Sequence, residues 1–190
     1  MRILASGDTL DKPYHIVDSI PTSSIVDCLA DRPDTLFRDQ VFGLVMVHLV
    51  ETRGNEVINE VALAFERAPD NRTLGRILTG LALRHWQQVS ADGTPRPLDL
   101  RVIDGLVRQM SDTARSGENV SPHVPDSHAG MAAVALYLHF LDHKAIEAFV
   151  NPTSWLPANA EATRQAAEQW WQSTRPRVRW ESHGFVIDPA

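Results

Sequence analysis

Histidine is the residue type with the most chemistry to offer in this chain. Four of its eight histidines, His123, His128, His139 and His143, lie between positions 123 and 143. His139 and His143 are four residues apart, the spacing that puts two imidazoles on one helix face and lets both reach one metal ion. A zinc-protease motif would need Glu directly after the first histidine, and Phe140 stands there. Asp142 would be turned about 100° from His143 around a helix, away from the pair. A third ligand would have to come from the preceding loop, as His123 or Asp126, or from another helix, as His48 or His85. The pattern supplies two of the three protein ligands that a catalytic zinc requires. The expectation is therefore no metal cofactor, with this region as the place for zinc or iron if one is bound.

Other catalytic patterns are missing from the sequence. There is no GxxxxGK[ST] phosphate loop, no GxGxxG after a strand, no GxSxG elbow and no CxxC pair. Acidic residues are numerous but scattered, without the paired carboxylates of a di-iron bundle. Ser121, Ser127 and their neighbouring histidines read as loop residues and a helix cap rather than a triad, because adjacency in sequence is not a catalytic geometry. Cys28 is the single cysteine, so no intrachain disulfide can form. It reads as a small core residue of a short amphipathic helix. Trp170, Trp171 and Trp180 lie near Arg175, Arg177 and Arg179, residue types enriched in interface hot spots, and are the candidates for a binding surface. The competing reading is that these aromatics cover the core from a terminal helix.

The elements that would position these residues are mostly helical. Residues 36–51, LFRDQVFGLVMVHLVE, form the most apolar run. Ten apolar-rich residues cannot span a bilayer, which needs about 20, so the run predicts a buried helix over 34–53, wrapped by the others. Gly54 and Asn55 then read as a C-cap and an N-cap. A helix over 56–68 follows, its buried stripe built from Val57, Val61, Ala64 and Phe65 and widened by Ile58 and Ala62. The next helix starts at Asp70 or Asn71 and runs to about Val89, and another covers 98–114. Gly75, Gly80, Gly43 and Gly105 sit inside predicted helices, each at a cost of about 1 kcal/mol that a close helix–helix approach can offset. Residues 116–130 form a long irregular connection rich in Pro, Gly and polar residues, the kind that is often functional or mobile. A second strongly apolar helix is expected over 129–150 and an Ala- and Gln-rich one over 158–173. The tail 178–187 reads as an extended ribbon turning at His183 and Gly184, able to pair with residues 2–5.

The segments GLVMVHL (43–49) and GLALRHW (80–86) share their spacing, with His48 and His85 offset by 37 residues. Both histidines are expected on largely buried faces. VALYLHF (134–140) repeats the histidine and its apolar flanks without the glycine. Paired helices with this offset resemble HEAT-type repeats, whose periods run about 40. The resemblance covers at most residues 20–114, and a non-repetitive bundle would show the same pattern. The architecture expected is all-α: six or seven helices joined largely as antiparallel hairpins, as a bundle or a short HEAT-like array, with short strands at the two termini. One domain spans 1–190, with an arm at 1–20, the internal loop at 116–130 and the extended tail at 175–190.

A net charge of −6 over 190 residues argues against a nucleic-acid partner. No apolar run is long enough for a membrane helix, and the opening MRILASGDTL lacks the apolar core of a signal peptide. A cytoplasmic location is expected. The favoured function is a non-catalytic intracellular protein-binding module, in one version an inhibitor or immunity-type binder of a basic partner. The alternative is a helical enzyme that binds a metal or small ligand through the His139 and His143 region and the 116–130 loop.

Overall fold

The structure, a computed structural model, describes residues 17–30, 36–93, 96–112, 127–147, 150 and 160–189. Within them eight α-helices precede one short antiparallel hairpin. The helices are α1 (Thr22–Ala30), α2 (Leu36–Arg53), α3 (Glu56–Arg67), α4 (Arg72–Asp92), α5 (Leu100–Gln109), α6 (His128–His139), α7 (Lys144–Glu147) and α8 (Ala160–Thr174). A 3₁₀ turn, Arg175–Arg177, leads into β1 (Val178–Glu181) and β2 (Gly184–Ile187). The fold is all-α with a terminal ribbon.

Helix ends follow from cap chemistry. Gly54, at φ +77°, closes α2 with its N–H on the Val50 carbonyl at 2.9 Å. Only glycine takes that left-handed conformation freely. Asn71 caps α4 by accepting the Leu74 N–H at 3.1 Å. Asp99 caps α5 by accepting the Arg101 N–H at 2.9 Å, and Ser127 caps α6 by accepting that of Gly130 at 3.1 Å. Asn55 stands at the N-cap of α3 but makes no side-chain cap bond. Its amide nitrogen instead meets Pro97 O at 3.3 Å.

The stripe read for α3 is the stripe that is buried: Val57, Ile58, Val61, Ala62, Ala64 and Phe65. Burial of each large member contributes about 1.5–3 kcal/mol. The middle of the molecule, however, is α4 and not the apolar α2. Helix α4 packs against α1, α2, α3, α5 and α6, whereas α2 packs mainly against α3 and α4. Met46, Leu49 and Val50 face those neighbours, and Leu44 on the same helix is 64% exposed. The apolar run is thus covered on one side only where its side chains are described. Cys28 is likewise exposed, because Ile25 and Val26 carry the burial of α1. Contacts from one central helix to so many others make a bundle. A solenoid would limit each repeat to its neighbours.

Of the four glycines that the sequence places inside helices, two allow close packing. A Cβ on Gly105 would run into Leu78 of α4, and one on Gly75 would run into the side chain of Gln109 of α5. Gly80 faces open space, and the side-chain environment of Gly43 lies outside the described residues. A half-buried ion pair joins the same region: Arg76 Nε donates to Asp112 Oδ2 at 3.0 Å, and Gln109 Nε2 donates to the same oxygen at 3.2 Å. The Asp112 carbonyl also accepts the Ala129 N–H at 2.7 Å, joining the end of α5 to the start of α6.

The helix expected over 129–150 stops at His139. Phe140 turns extended and forms a parallel bridge with Phe185 of β2, and the Leu141 N–H donates to the Phe185 carbonyl at 3.0 Å. The C-terminal hairpin thereby captures the chain as it leaves α6. Strands β1 and β2 pair in the register Val178 to Ile187 through Glu181 to Gly184, with the turn at Ser182 and His183. Pairing of the tail with residues 2–5, the N-terminal strand and most of the 116–130 loop fall outside the described residues. No described helix is long and apolar enough to cross a membrane.

Candidate functional site

His85 and His139, the histidines of GLALRHW and VALYLHF, meet inside the bundle. His85 is buried on α4 and His139 on the last turn of α6. His85 Nδ1 and His139 Nε2 are 3.2 Å apart, with the rings 19° from parallel and their centroids 5.4 Å apart. The outer nitrogens are both fixed by carbonyls. His85 Nε2–H donates to Arg96 O at 2.7 Å, and His139 Nδ1–H donates to Ala135 O at 2.7 Å. A carbonyl only accepts, so these contacts set the tautomers and leave both inner nitrogens bare in the neutral pair.

Burial lowers the pKa of both rings. Desolvation carries His139 down to about 4, against the pull of its bond to the Ala135 carbonyl. The His85 pKa is lowered first by desolvation and also by the positive charge of Arg96, with the bond to the Arg96 backbone opposing. Both imidazoles are therefore neutral at pH 7.

The surroundings are aromatic. Trp180 of β1 sets its edge against His85 at 5.8 Å, and Phe185 packs on Trp180 at 5.0 Å. Phe140 lies against Phe185 and Trp170. Asn55 Nδ2 donates to Pro97 O at 3.3 Å and sits 3.4 Å from His85 Nε2. On these flanking residues, Asn55 Oδ1 and Trp180 Nε1 are buried without a partner among the described residues.

His143 is not part of this arrangement. Because α6 ends at His139, the two histidines do not share a helical face. His143 instead stacks on Tyr137, with centroids 4.0 Å apart. His123 and Asp126 fall outside the described residues. His48 is half-buried and contacts Asp18, with Nε2 to Oδ1 at 2.9 Å. Of the two histidines expected on buried faces, His85 is fully buried and His48 partly so.

The tryptophan and arginine candidates are drawn into internal contacts. Trp171 is buried, and its indole N–H donates to Asp104 Oδ1 at 2.5 Å. Arg175 grips the same carboxylate in a fork, Nε to Oδ1 at 2.9 Å and Nη2 to Oδ2 at 3.0 Å. Arg177 donates to Asp188 O, and Arg179 pairs with Asp188 and Glu181. Trp170 and Trp180 pack on the core as half-buried residues. Asp104, which clamps α8 onto α5, had no sequence signal: it is one acidic residue on an amphipathic helix.

Beside that clamp lies a cleft of about 380 Å³ between α3, α5 and α8. Phe65, Gly105, Val107 and Trp171 line its floor, and Glu66, Arg101, Arg108, Gln172 and Arg175 its rim. Arg101 Nε pairs with Glu66 across the rim at 3.4 Å, and the Arg108 guanidinium lies over the Phe65 ring at 5.8 Å. Among the described residues no three His, Cys, Asp or Glu side chains gather as a metal cluster. Compared with protein-family models, curated proteins and solved structures, the chain matches none of them.

Proposed function

We propose that this chain is a non-catalytic intracellular protein-binding module that receives a partner segment in the cleft between α3, α5 and α8. The observation that carries this reading is the cleft itself, an apolar floor bounded by charged and amide side chains on three helices. That arrangement suits an amphipathic segment, whose apolar face fills the floor while its polar flanks meet the rim. The bidentate Arg175–Asp104 pair and the Trp171–Asp104 bond fix one wall before any partner arrives, which lowers the ordering cost of binding. The partner is a basic protein. The net charge of −6 favours it, and Glu66 and Glu168 line the cleft in exposed pairs with Arg101 and Arg164 that a partner's cations can exchange with. A cytoplasmic location is consistent with a chain that holds one cysteine.

The enzyme reading has less support. It drew on the His139 and His143 region together with the 116–130 loop; α6 ends at His139, and residues 116–126 lie outside the described residues.

The test is capture of partners by the parent, by Glu66→Lys with Glu168→Lys in the cleft, and by Glu51→Lys on α2. The expected result is a stoichiometric partner held by the parent and the α2 variant, lost by the cleft variant and released by raised salt. Equal capture by all three, or capture insensitive to salt, would contradict the proposal.

A further inference from the structure

Phe65 and Arg108 also line a second recess, of about 430 Å³, bounded by the Pro69–Asp70 turn, the start of α4 and the end of α5. Its size falls in the range of small-molecule sites, roughly 300–1,000 Å³. Its chemistry differs from that of the cleft, because six of its eight lining residues are polar or charged. Arg72 of α4 and Arg108 of α5 enter it from two different helices, and both are exposed. In a chain of net charge −6, most described arginines are held by a carboxylate or a backbone carbonyl. Among the described residues, the guanidinium groups of Arg72 and Arg108 make no ion pair or hydrogen bond. Arg108 has only its stacking on Phe65 at 5.8 Å, which occupies the face of the guanidinium and leaves its N–H edge able to donate.

Two carboxylates line the recess as well, and their charges decide what it can hold. Asp112 is already met by Arg76 Nε at 3.0 Å and by Gln109 Nε2 at 3.2 Å, so its charge is balanced within the fold. Asp70 is exposed and offsets at most one of the two lining guanidiniums. An excess of positive charge remains, and the positive end of the α4 dipole, which starts at Arg72, adds to it. The geometry points to a site for the phosphate group of a small hydrophilic molecule, gripped by Arg72 and Arg108. Guanidiniums arriving from two helices suit a tetrahedral dianion, whose oxygens face more than one way. A single carboxylate offers one edge, which one bidentate arginine fills. The volume leaves room for a body beyond the phosphate, and the polar lining selects a hydrophilic one. This site is distinct from the apolar floor of the cleft and does not depend on a partner protein binding there.

Calorimetry at fixed ionic strength tests the site, with inorganic phosphate, ribose 5-phosphate, ribose and succinate as probes. The expected result is one saturable site per chain for both phosphates, tighter for ribose 5-phosphate, with no binding of ribose and weaker binding of succinate. Arg72→Gln with Arg108→Gln should weaken phosphate binding by about tenfold or more. Arg84→Gln with Arg179→Gln removes the same charge from exposed positions elsewhere and should leave binding unchanged. Arginine side-chain NMR of the parent gives a readout that needs no variant: phosphate should shift the Nε signals of Arg72 and Arg108. No saturable binding of either phosphate, equal weakening by the two double variants, succinate binding as tight as phosphate, or unshifted Arg72 and Arg108 signals would overturn the proposal.

Discussion

His139 is neutral and buried at the end of α6, and that placement has a consequence in acid. Its pKa is lowered from 6.5 in the unfolded chain to about 4 in the fold. Below about pH 6.5 the unfolded chain takes up a proton that the folded chain refuses, so acid favours unfolding. The neutral ring is fully tolerated above 6.5, and the penalty grows as pH falls toward about 4, reaching about 3 kcal/mol for a shift of this size. The lowered pKa of His85 acts in the same direction. Urea unfolding at pH 7, 5.5 and 4.5 should show a steeper loss for the parent than for His139→Gln. Parallel pH profiles would mean that His139 does not titrate differently in the fold. The meeting of His85 and His139 was half legible in the sequence. Both stood on apolar stripes in matching segments, which marked them for burial. Their contact needed α4 and α6 to be neighbours, which spacing alone does not determine. His48 carried the same pattern, but its face lies nearer the edge of the bundle, where Asp18 meets it.

At the scale of helices, the glycines separate packing from propensity. Gly105→Ala would drive a methyl into Leu78, and overpacking of this kind costs about 1–3 kcal/mol. Gly80→Ala meets open space on an exposed position, so it should gain up to about 1 kcal/mol from helix propensity alone. Chemical denaturation of the two variants should move the midpoints in opposite directions. A stable Gly105→Ala would mean that α4 and α5 are not in close approach there. Sequence periodicity read α3 correctly because its six buried residues fit one 3.6-residue stripe. It failed at α2, where apolar residues all round suggested a wrapped helix and Leu44 proved exposed. It also ran α6 too long. Residues after His139 remain helix-compatible in pattern, but a strand more than forty positions later diverts them, and no local signal announces that.

For the molecule as a whole, Asp104 decides whether α8 forms a wall of the cleft. It receives the indole N–H of Trp171 and both ends of the Arg175 fork. Asp104→Ala leaves a buried indole N–H unpaired, and the loss should be about 2 kcal/mol with reduced partner binding. A urea midpoint shift together with altered tryptophan fluorescence checks it, and unchanged values would show that α8 docks without the clamp. The claim on which the functional account rests is that the α3, α5 and α8 cleft receives a partner protein. Its most direct measurement is photo-crosslinking in living cells, with the reactive residue placed at Gln172 and, in a separate protein, at Glu51 on α2. One discrete crosslinked partner is expected from Gln172 and none from Glu51. A partner captured from Glu51 alone, or no crosslinked protein from Gln172, would contradict it.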